Sequence, residues 1–223
     1  MTTSSSPMCH HPSRCPLPAR GLALRAVCHT CSGRPASGQV TLERGDILAR
    51  AGEPARYIYA VVEGWVRESI LDDEGRRTTT RFVGPGHILG SEAMTSGEQC
   101  TTLDALQPAR VCRVASSQVM DAIADQPALW MAFTRALTDD MEALRVRIVR
   151  STLTARERVL ALIVELLGPI APGTWGHLPA TREDMAEALG LTLETVSRQV
   201  QELHRAGILE VEGRRVRRVP ATM

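Results

Sequence analysis

Apolar positions along this 223-residue chain change their spacing partway, and the change separates two kinds of structure. Between Val40 and about Val114 they come in short runs with β-branched and aromatic residues: Tyr57–Val62, Trp65–Leu71, Thr78–Val83 and Ala109–Val114. Turn-forming groups separate the runs at short intervals, namely Arg44-Gly45-Asp46, Gly52-Glu53-Pro54, Glu63-Gly64, Asp72-Asp73-Glu74-Gly75, Gly84-Pro85-Gly86 and Ser96-Gly97. Many short strands punctuated in this way predict a small antiparallel sandwich or barrel. From Ser117 the spacing becomes helical. A short helix is expected over Ser117–Ala124, a long one from Pro127 to about Arg150, and another over Ala155–Leu167 before Gly168-Pro169 breaks the pattern.

In the long helix Leu137, Met141, Leu144 and Ile148 recur at steps of four, three and four, with Trp130 and Phe133 extending the stripe upstream. Two readings are open. Such a stripe can lie on the chain's own barrel, or it can be an a/d seam joining two protomers. Asp139, Asp140, Glu142, Arg145 and Arg147 clothe the rest of the helix, and the narrowness this leaves favours a dimer.

The most informative segment follows. Thr181-Arg182-Glu183-Asp184 reads as a capped helix start, Met185, Ala186 and Leu189 give an inward face, and Gly190 ends the helix. Thr192 can cap a second helix, Leu193–Arg205, in which Leu193, Val196, Val200 and Leu203 are expected to share one buried face. Glu194, Ser197, Arg198 and Gln201 then fall at i, i+3, i+4 and i+7 on the opposite face. Two short helices around a Gly turn, the second with a polar stripe, form a helix-turn-helix. Arg198 can donate two bonds to guanine, Glu194 can accept from cytosine, and Ser197 can meet a thymine or adenine edge. Gln201 and the capping Thr192 complete the expected contact set. Ile208–Val211, the Glu212-Gly213 turn and Arg214–Val219 form a hairpin wing whose Arg214, Arg215, Arg217 and Arg218 can neutralise phosphates. A polar helical stripe alone is commonly a solvated face. The complete order of helix, Gly turn, helix and Arg-rich hairpin is what points to DNA.

Composition adds limits. With 43% apolar and 23% charged residues the chain is ordinary globular material, and its length suggests two domains with a connector. The organisation expected is a Cys-rich arm over 1–39, a β-barrel sensor over 40–126, a dimerisation helix over 127–151 and a winged helix-turn-helix over 152–223, an α+β chain. Apolar stretches such as Val159–Leu167 are far shorter than the roughly 20 residues that a bilayer-spanning helix needs. The net charge of +1 says nothing about nucleic acid by itself. The opening Met1–Gln39 is rich in Ser, Pro, Arg and Cys, with too few apolar residues for a core of its own. Pro12, Pro16 and Pro18 spoil a transit-peptide helix there, and a secretory apolar region is lacking, so a cytoplasmic protein is expected.

Cysteine is the remaining chemistry. Six cysteines in a cytoplasmic protein argue for metal or redox chemistry more than for disulfides. Cys28 and Cys31 have a bidentate clamp spacing, with Cys9 and Cys15 just upstream. Thiolates suit iron–sulfur clusters or zinc, and His10, His11 and His29 beside them keep a mixed Cys/His zinc site open. A thiol redox switch without metal is a third reading. Cys112, between Arg110 and Arg113 in a strand, can also be a small core hydrophobe, and Cys100 is expected to be one. An enzyme with a thiolate–metal site or Cys/His dyad is disfavoured, because the histidines are scattered and neither a Ser/His/Asp set nor a Gly-rich phosphate loop appears.

Leu191-Thr192-Leu193-Glu194-Thr195-Val196-Ser197-Arg198 resembles the recognition-helix signature of the CRP/FNR family of bacterial transcription regulators. Glu43-Arg44-Gly45-Asp46-Ile47-Leu48, Gly52-Glu53, Tyr57–Gly64 and Gly84-Pro85-Gly86-His87-Ile88-Leu89-Gly90 resemble the same family's effector domain, so the likeness covers about residues 40–220. It implies a cyclic-nucleotide-binding-like jelly roll, a long dimerisation helix, a homodimer on double-stranded DNA and contact with RNA polymerase. Carried over to matching positions, Glu194, Ser197 and Arg198 would read bases, most like the FNR branch with its TTGAT half-sites. Cyclic-nucleotide-binding members place an arginine after a Gly-Glu pair. Here Gly90-Ser91-Glu92 is followed by Gly97-Glu98-Gln99-Cys100-Thr101-Thr102, without arginine, which argues against cyclic AMP. FNR-like members hold an oxygen-labile 4Fe–4S cluster on N-terminal cysteines plus one at the end of the barrel, where Cys112 falls. Their C-x2-C-x5-C spacing is C-x5-C-x12-C-x2-C here, and of Cys9, Cys15, Cys28 and Cys31 the set Cys15, Cys28 and Cys31 is favoured.

Overall fold

The computed structural model describes residues 38–95 and 97–220. Two compact units divide the chain: one takes Thr80–Glu142 with the chain up to Leu71, the other Ala143 onward with the hairpin segment Asp72–Thr79.

The first unit is built from strands β1 (Gly38–Leu42), β2 (Ile47–Ala49), β3 (Tyr57–Glu63), β4 (Val66–Leu71), β5 (Arg77–Val83, of which it takes the part from Thr80 on), β6 (Ile88–Leu89), β7 (Thr102–Ala105) and β8 (Ala109–Ala115). They form two four-stranded sheets, ordered β1-β8-β3-β6 and β2-β7-β4-β5, a jelly-roll-like sandwich. Because successive side chains point to opposite faces, β3 and β8 each serve two cores. Tyr59, Val61, Ala109 and Val111 point between the sheets with Leu42, Val66, Val83, Leu89 and Leu103. Ile58, Ala60, Val62, Cys112 and Val114 point outward, under helices α1 (Ser116–Asp125) and α2 (Pro127–Ser151). That double burial explains why Ile58–Val62 is apolar at every position. Across β4 and β7, Arg67 meets the directly opposed Asp104 with two bonds of 3.1 and 2.8 Å, pinning the register. Gly90 turns the chain into a 3-10 turn, Ser91–Met94, with φ of 76°; a Cβ there would stand 2.7 Å from the carbonyl oxygen of Tyr57, so only glycine fits.

The long helix does different things along its length. Leu129 and Phe133 are buried against the outer face of the first sheet, and Ala136 and Leu137 pack beside them. Phe133 therefore does not extend an open stripe as its spacing suggested, while Trp130, one position after Leu129, is 52% exposed. Asp140 is likewise turned inward, to Arg81 and His87. Met141, Leu144 and Ile148 remain exposed, joined by Val146 and Val149.

The second unit contains α3 (Ala155–Leu167), β9 (Gly176–His177), α4 (Arg182–Leu189), α5 (Leu193–Arg205), β10 (Leu209–Glu212) and β11 (Arg215–Arg218). Thr154 and Glu157 close a capping box at the start of α3, which satisfies two of the helix's orphan amides. Val159, Leu162, Ile163 and Leu166 of α3 are buried, as are Met185 of α4, Val196, Val200 and Leu203 of α5, Leu209 and Val216.

Candidate nucleic-acid interface

The helix pair is shaped by its own sequence. Thr181 accepts from the Asp184 amide at 3.1 Å while Asp184 takes the Thr181 amide at 2.8 Å, a reciprocal cap on α4. Gly190 ends α4 at φ 59°, ψ 40°, its amide bonding the carbonyls of Ala186 and Glu187, and the Leu191 amide also bonds Ala186 at 3.0 Å. Only a residue that enters the left-handed region without strain allows so sharp a stop. Two residues later the Thr192 hydroxyl accepts from the Thr195 amide at 3.1 Å and α5 begins. Arg158 of α3 donates to the Leu189 carbonyl, and Arg147 to that of Ala188 at 3.4 Å. The C-terminal carbonyls of α4 are thus held by cations, which also suits the negative end of the helix dipole.

On α5 the buried face is Val196, Gln199, Val200 and Leu203. Leu193, expected on that face, is 44% exposed. It occupies the first turn, at the edge of the helix pair, where the core has not yet closed around the helix. Glu194, Arg198 and Gln201 are exposed and Ser197 half-buried, all on the side away from the core. Among the described residues none of these four side chains has a hydrogen bond or ion pair, so their donors and acceptors stay available. A helix of 13 residues at about 1.5 Å per residue presents roughly 20 Å of surface, long enough to lie in a major groove.

The wing arginines differ from one another. Arg214 bonds the carbonyls of Leu178 and Pro179 at 2.9 and 2.6 Å, tying the hairpin to the chain before α4. Arg217 forms an ion pair with Glu210 at 2.6 Å, directly opposite it on β10. Trp175 lies beneath both Arg215 and Arg217, with guanidinium carbons 5.1 and 5.0 Å from its ring centroid. Arg218 is exposed. Trp175 carries no motif, and only the pairing of β9 with β11 brings it under the wing. Arg182, on the first turn of α4, has a buried Nη1 without a partner among the described residues, and burial lowers its pKa.

In the first unit, Gln99 is buried and donates to Glu92 at 3.2 Å. Cys100 is exposed, which corrects its expected place in the core: Gln99 turns inward and its neighbour outward. Cys112 is buried among Ile58, Ala60, Val62, Val114, Val119, Leu129 and Phe133. Gln39 of β1 and Ala60 of β3 are its register partners on either side. Cys9, Cys15, Cys28 and Cys31 lie outside the described residues. No three His, Cys, Asp or Glu cluster for a metal among the described residues.

A β-sandwich followed by a long helix and a winged helix-turn-helix places this chain among the helix-turn-helix proteins, whose second helix is built to enter a DNA groove. Residues 39–126 match the cyclic nucleotide-binding domain family, and residues 157–220 the Crp-like helix-turn-helix domain family. An anaerobic regulatory protein of Pasteurella multocida is 27% identical over 178 residues, covering 78% of this chain and 65% of that protein. The fumarate and nitrate reduction regulatory protein of Escherichia coli K12 is also 27% identical over 178 residues, 78% of this chain and 71% of that one. The chain thus spans just under two thirds of the first of these relatives. FixK2 of Bradyrhizobium japonicum has the same fold with a TM-score of 0.75 at 28% identity, over 82% of this chain and 92% of FixK2. This chain belongs to the CRP/FNR family of transcription regulators. No helix among the described residues is long and apolar enough to cross a membrane.

Proposed function

We propose that this protein is a cytoplasmic regulator controlled by an oxygen-, redox- or nitric-oxide-sensitive 4Fe–4S cluster, held by Cys112 and by Cys15, Cys28 and Cys31, with Cys9 the alternative ligand. One observation carries the reading. Gln39 stands opposite Cys112 on the neighbouring strand, about 5 Å away, so the cysteine-rich arm joins the sheet beside that thiol. Cys31 precedes Gly38 by seven residues, a reach of up to about 25 Å. Cys112 lies among apolar residues, which would keep water from a cluster, and this reading takes the remaining thiolates from the arm. When bound, the cluster supplies a group that oxidants dismantle; Cys112 would tether the arm at the base of the long helix. Relatives named as anaerobic and as fumarate and nitrate reduction regulators support the same signal. The missing arginine in Gly97–Thr102, together with the hold of Gln99 on Glu92, speaks against cyclic AMP as the effector.

DNA binding in this reading uses Glu194, Ser197, Arg198 and Gln201 for bases and Thr192, Arg214 and Arg217 for the backbone, on a TTGAT-like palindrome. A palindrome needs two recognition helices about 34 Å apart, which the open Met141, Leu144 and Ile148 favour through a homodimer, with Leu137 at the edge of that seam. RNA polymerase is the expected further partner. Segments 1–39, 40–126, 127–151 and 152–223 are then arm, sensor, dimer helix and DNA-binding domain. Protein purified without oxygen should be brown and contain iron and sulfide, and air should bleach it and weaken its DNA binding together. Stoichiometric zinc without iron would overturn the cluster and point to a Cys/His zinc site with His10, His11 or His29.

A further inference from the structure

At one end of the sandwich a cavity of about 330 Å³ opens between β1, β2, β3 and β8. Leu42, Leu48 and Ala49 form its apolar side, Tyr57 and Tyr59 one wall, and Arg113, Arg56, Gln99 and Glu53 its polar part. We propose that this cavity binds a small carboxylic acid with a flat apolar body, its carboxylate on Arg113 and its body between the tyrosines and Leu48.

Three observations carry this. Arg113 points between the sheets, where an arginine is out of place: its register partner is Tyr59 and its neighbours in alternation, Val111 and Ala109, are core residues. Its guanidinium stacks 4.6 Å from the Tyr57 ring centroid, and its Nε is buried without a hydrogen-bond partner or an ion pair among the described residues. A buried donor left unmade is costly, and a carboxylate matches the guanidinium fork with two parallel bonds. Second, Arg56 stands exposed at the rim without a described ion pair, and with Arg113 it outweighs Glu53 by one positive charge. That balance suits a monoanion better than a dianion. Third, burial raises the Tyr59 pKa against a smaller opposing effect of Arg113, so the phenol stays a neutral donor at physiological pH. About 330 Å³ lies at the small end of ligand pockets and holds a single-ring acid with space to spare. The site lies across the strand from Cys112, since neighbouring residues of β8 face opposite ways.

Titration calorimetry on the full chain, purified without oxygen, uses benzoate as the probe, with benzamide and inorganic phosphate as controls. Benzoate is expected to bind with 1:1 stoichiometry, and benzamide about tenfold more weakly because a charge-assisted bond becomes a neutral one. Arg113→Gln should lose at least tenfold in benzoate affinity. Arg56→Gln, at an exposed position where folding is not at risk, should lose several-fold. No benzoate binding at millimolar concentration, equal affinity for benzoate and benzamide, or undiminished affinity in both variants would overturn the proposal. Phosphate binding as tightly as benzoate would overturn the apolar part of it.

Discussion

Asp140 on the long helix α2 and Arg81 on β5 hold each other at 2.9 Å, and the same guanidinium keeps Glu68 of β4 at 2.9 Å. His87 stands 3.8 Å from the other Asp140 oxygen. Side-chain exposure of 17% for Asp140 and 20% for Arg81 makes this more than a surface pair. Burial raises the Asp140 pKa, but the contact with His87 and the Arg81 charge outweigh it and hold the carboxyl below the ordinary range. A depressed folded-state pKa contributes stability above the unfolded value of about 3.9 that is lost as pH falls through the folded value. Asp140→Asn should therefore cost about 2 kcal/mol at neutral pH. Urea titrations should show the gap between variant and wild type closing below about pH 4; a gap that is constant with pH would mean the ion pair contributes nothing.

Replacing Arg198 with Ala should cost about 1–3 kcal/mol at one guanine of the site and relax selectivity there. Binding to matched and singly mismatched half-sites measures it. Unchanged discrimination would mean that α5 does not enter the groove in this orientation.

Trp175→Ala should act differently. Removing the ring releases two stacked arginines, each interaction being worth about 0.5–1 kcal/mol at an exposed site. Affinity should fall several-fold for all sequences alike, with the salt dependence nearly kept. A sequence-selective loss would place Trp175 at a base instead.

Leu144→Glu, on the open half of the long helix, is expected to give a folded monomer with weak DNA binding. Sedimentation and circular dichroism separate that outcome from unfolding. A wild type that is monomeric on DNA would remove the dimer seam.

The two described cysteines should separate cleanly. Cys112→Ser should lose chromophore and signal-dependent DNA binding together, whereas Cys100→Ser, at an exposed position, should keep both. Anaerobic absorbance and DNA titration read the two effects in parallel.

What the sequence determined by itself is the part decided by near neighbours. Thr181, Gly190 and Thr192 set the ends of α4 and α5 because caps and left-handed turns are satisfied within three or four residues. The turn groups and short apolar runs likewise set the strands, and the paired stripes of α5 separate Val196, Val200 and Leu203 from Glu194, Ser197 and Arg198. Tertiary structure decided whatever depends on residues distant in the chain. It put Phe133 under the sheet and left Trp130 open, turned Cys100 outward and exposed Leu193. It gave Arg214 and Arg217 partners within the fold, slid Trp175 beneath the wing, and drew Arg81, Glu68 and Asp140 together from two strands and a helix. Periodicity tells which residues share a face, but the energy of that face comes from what is packed against it, and only the folded chain supplies the partner.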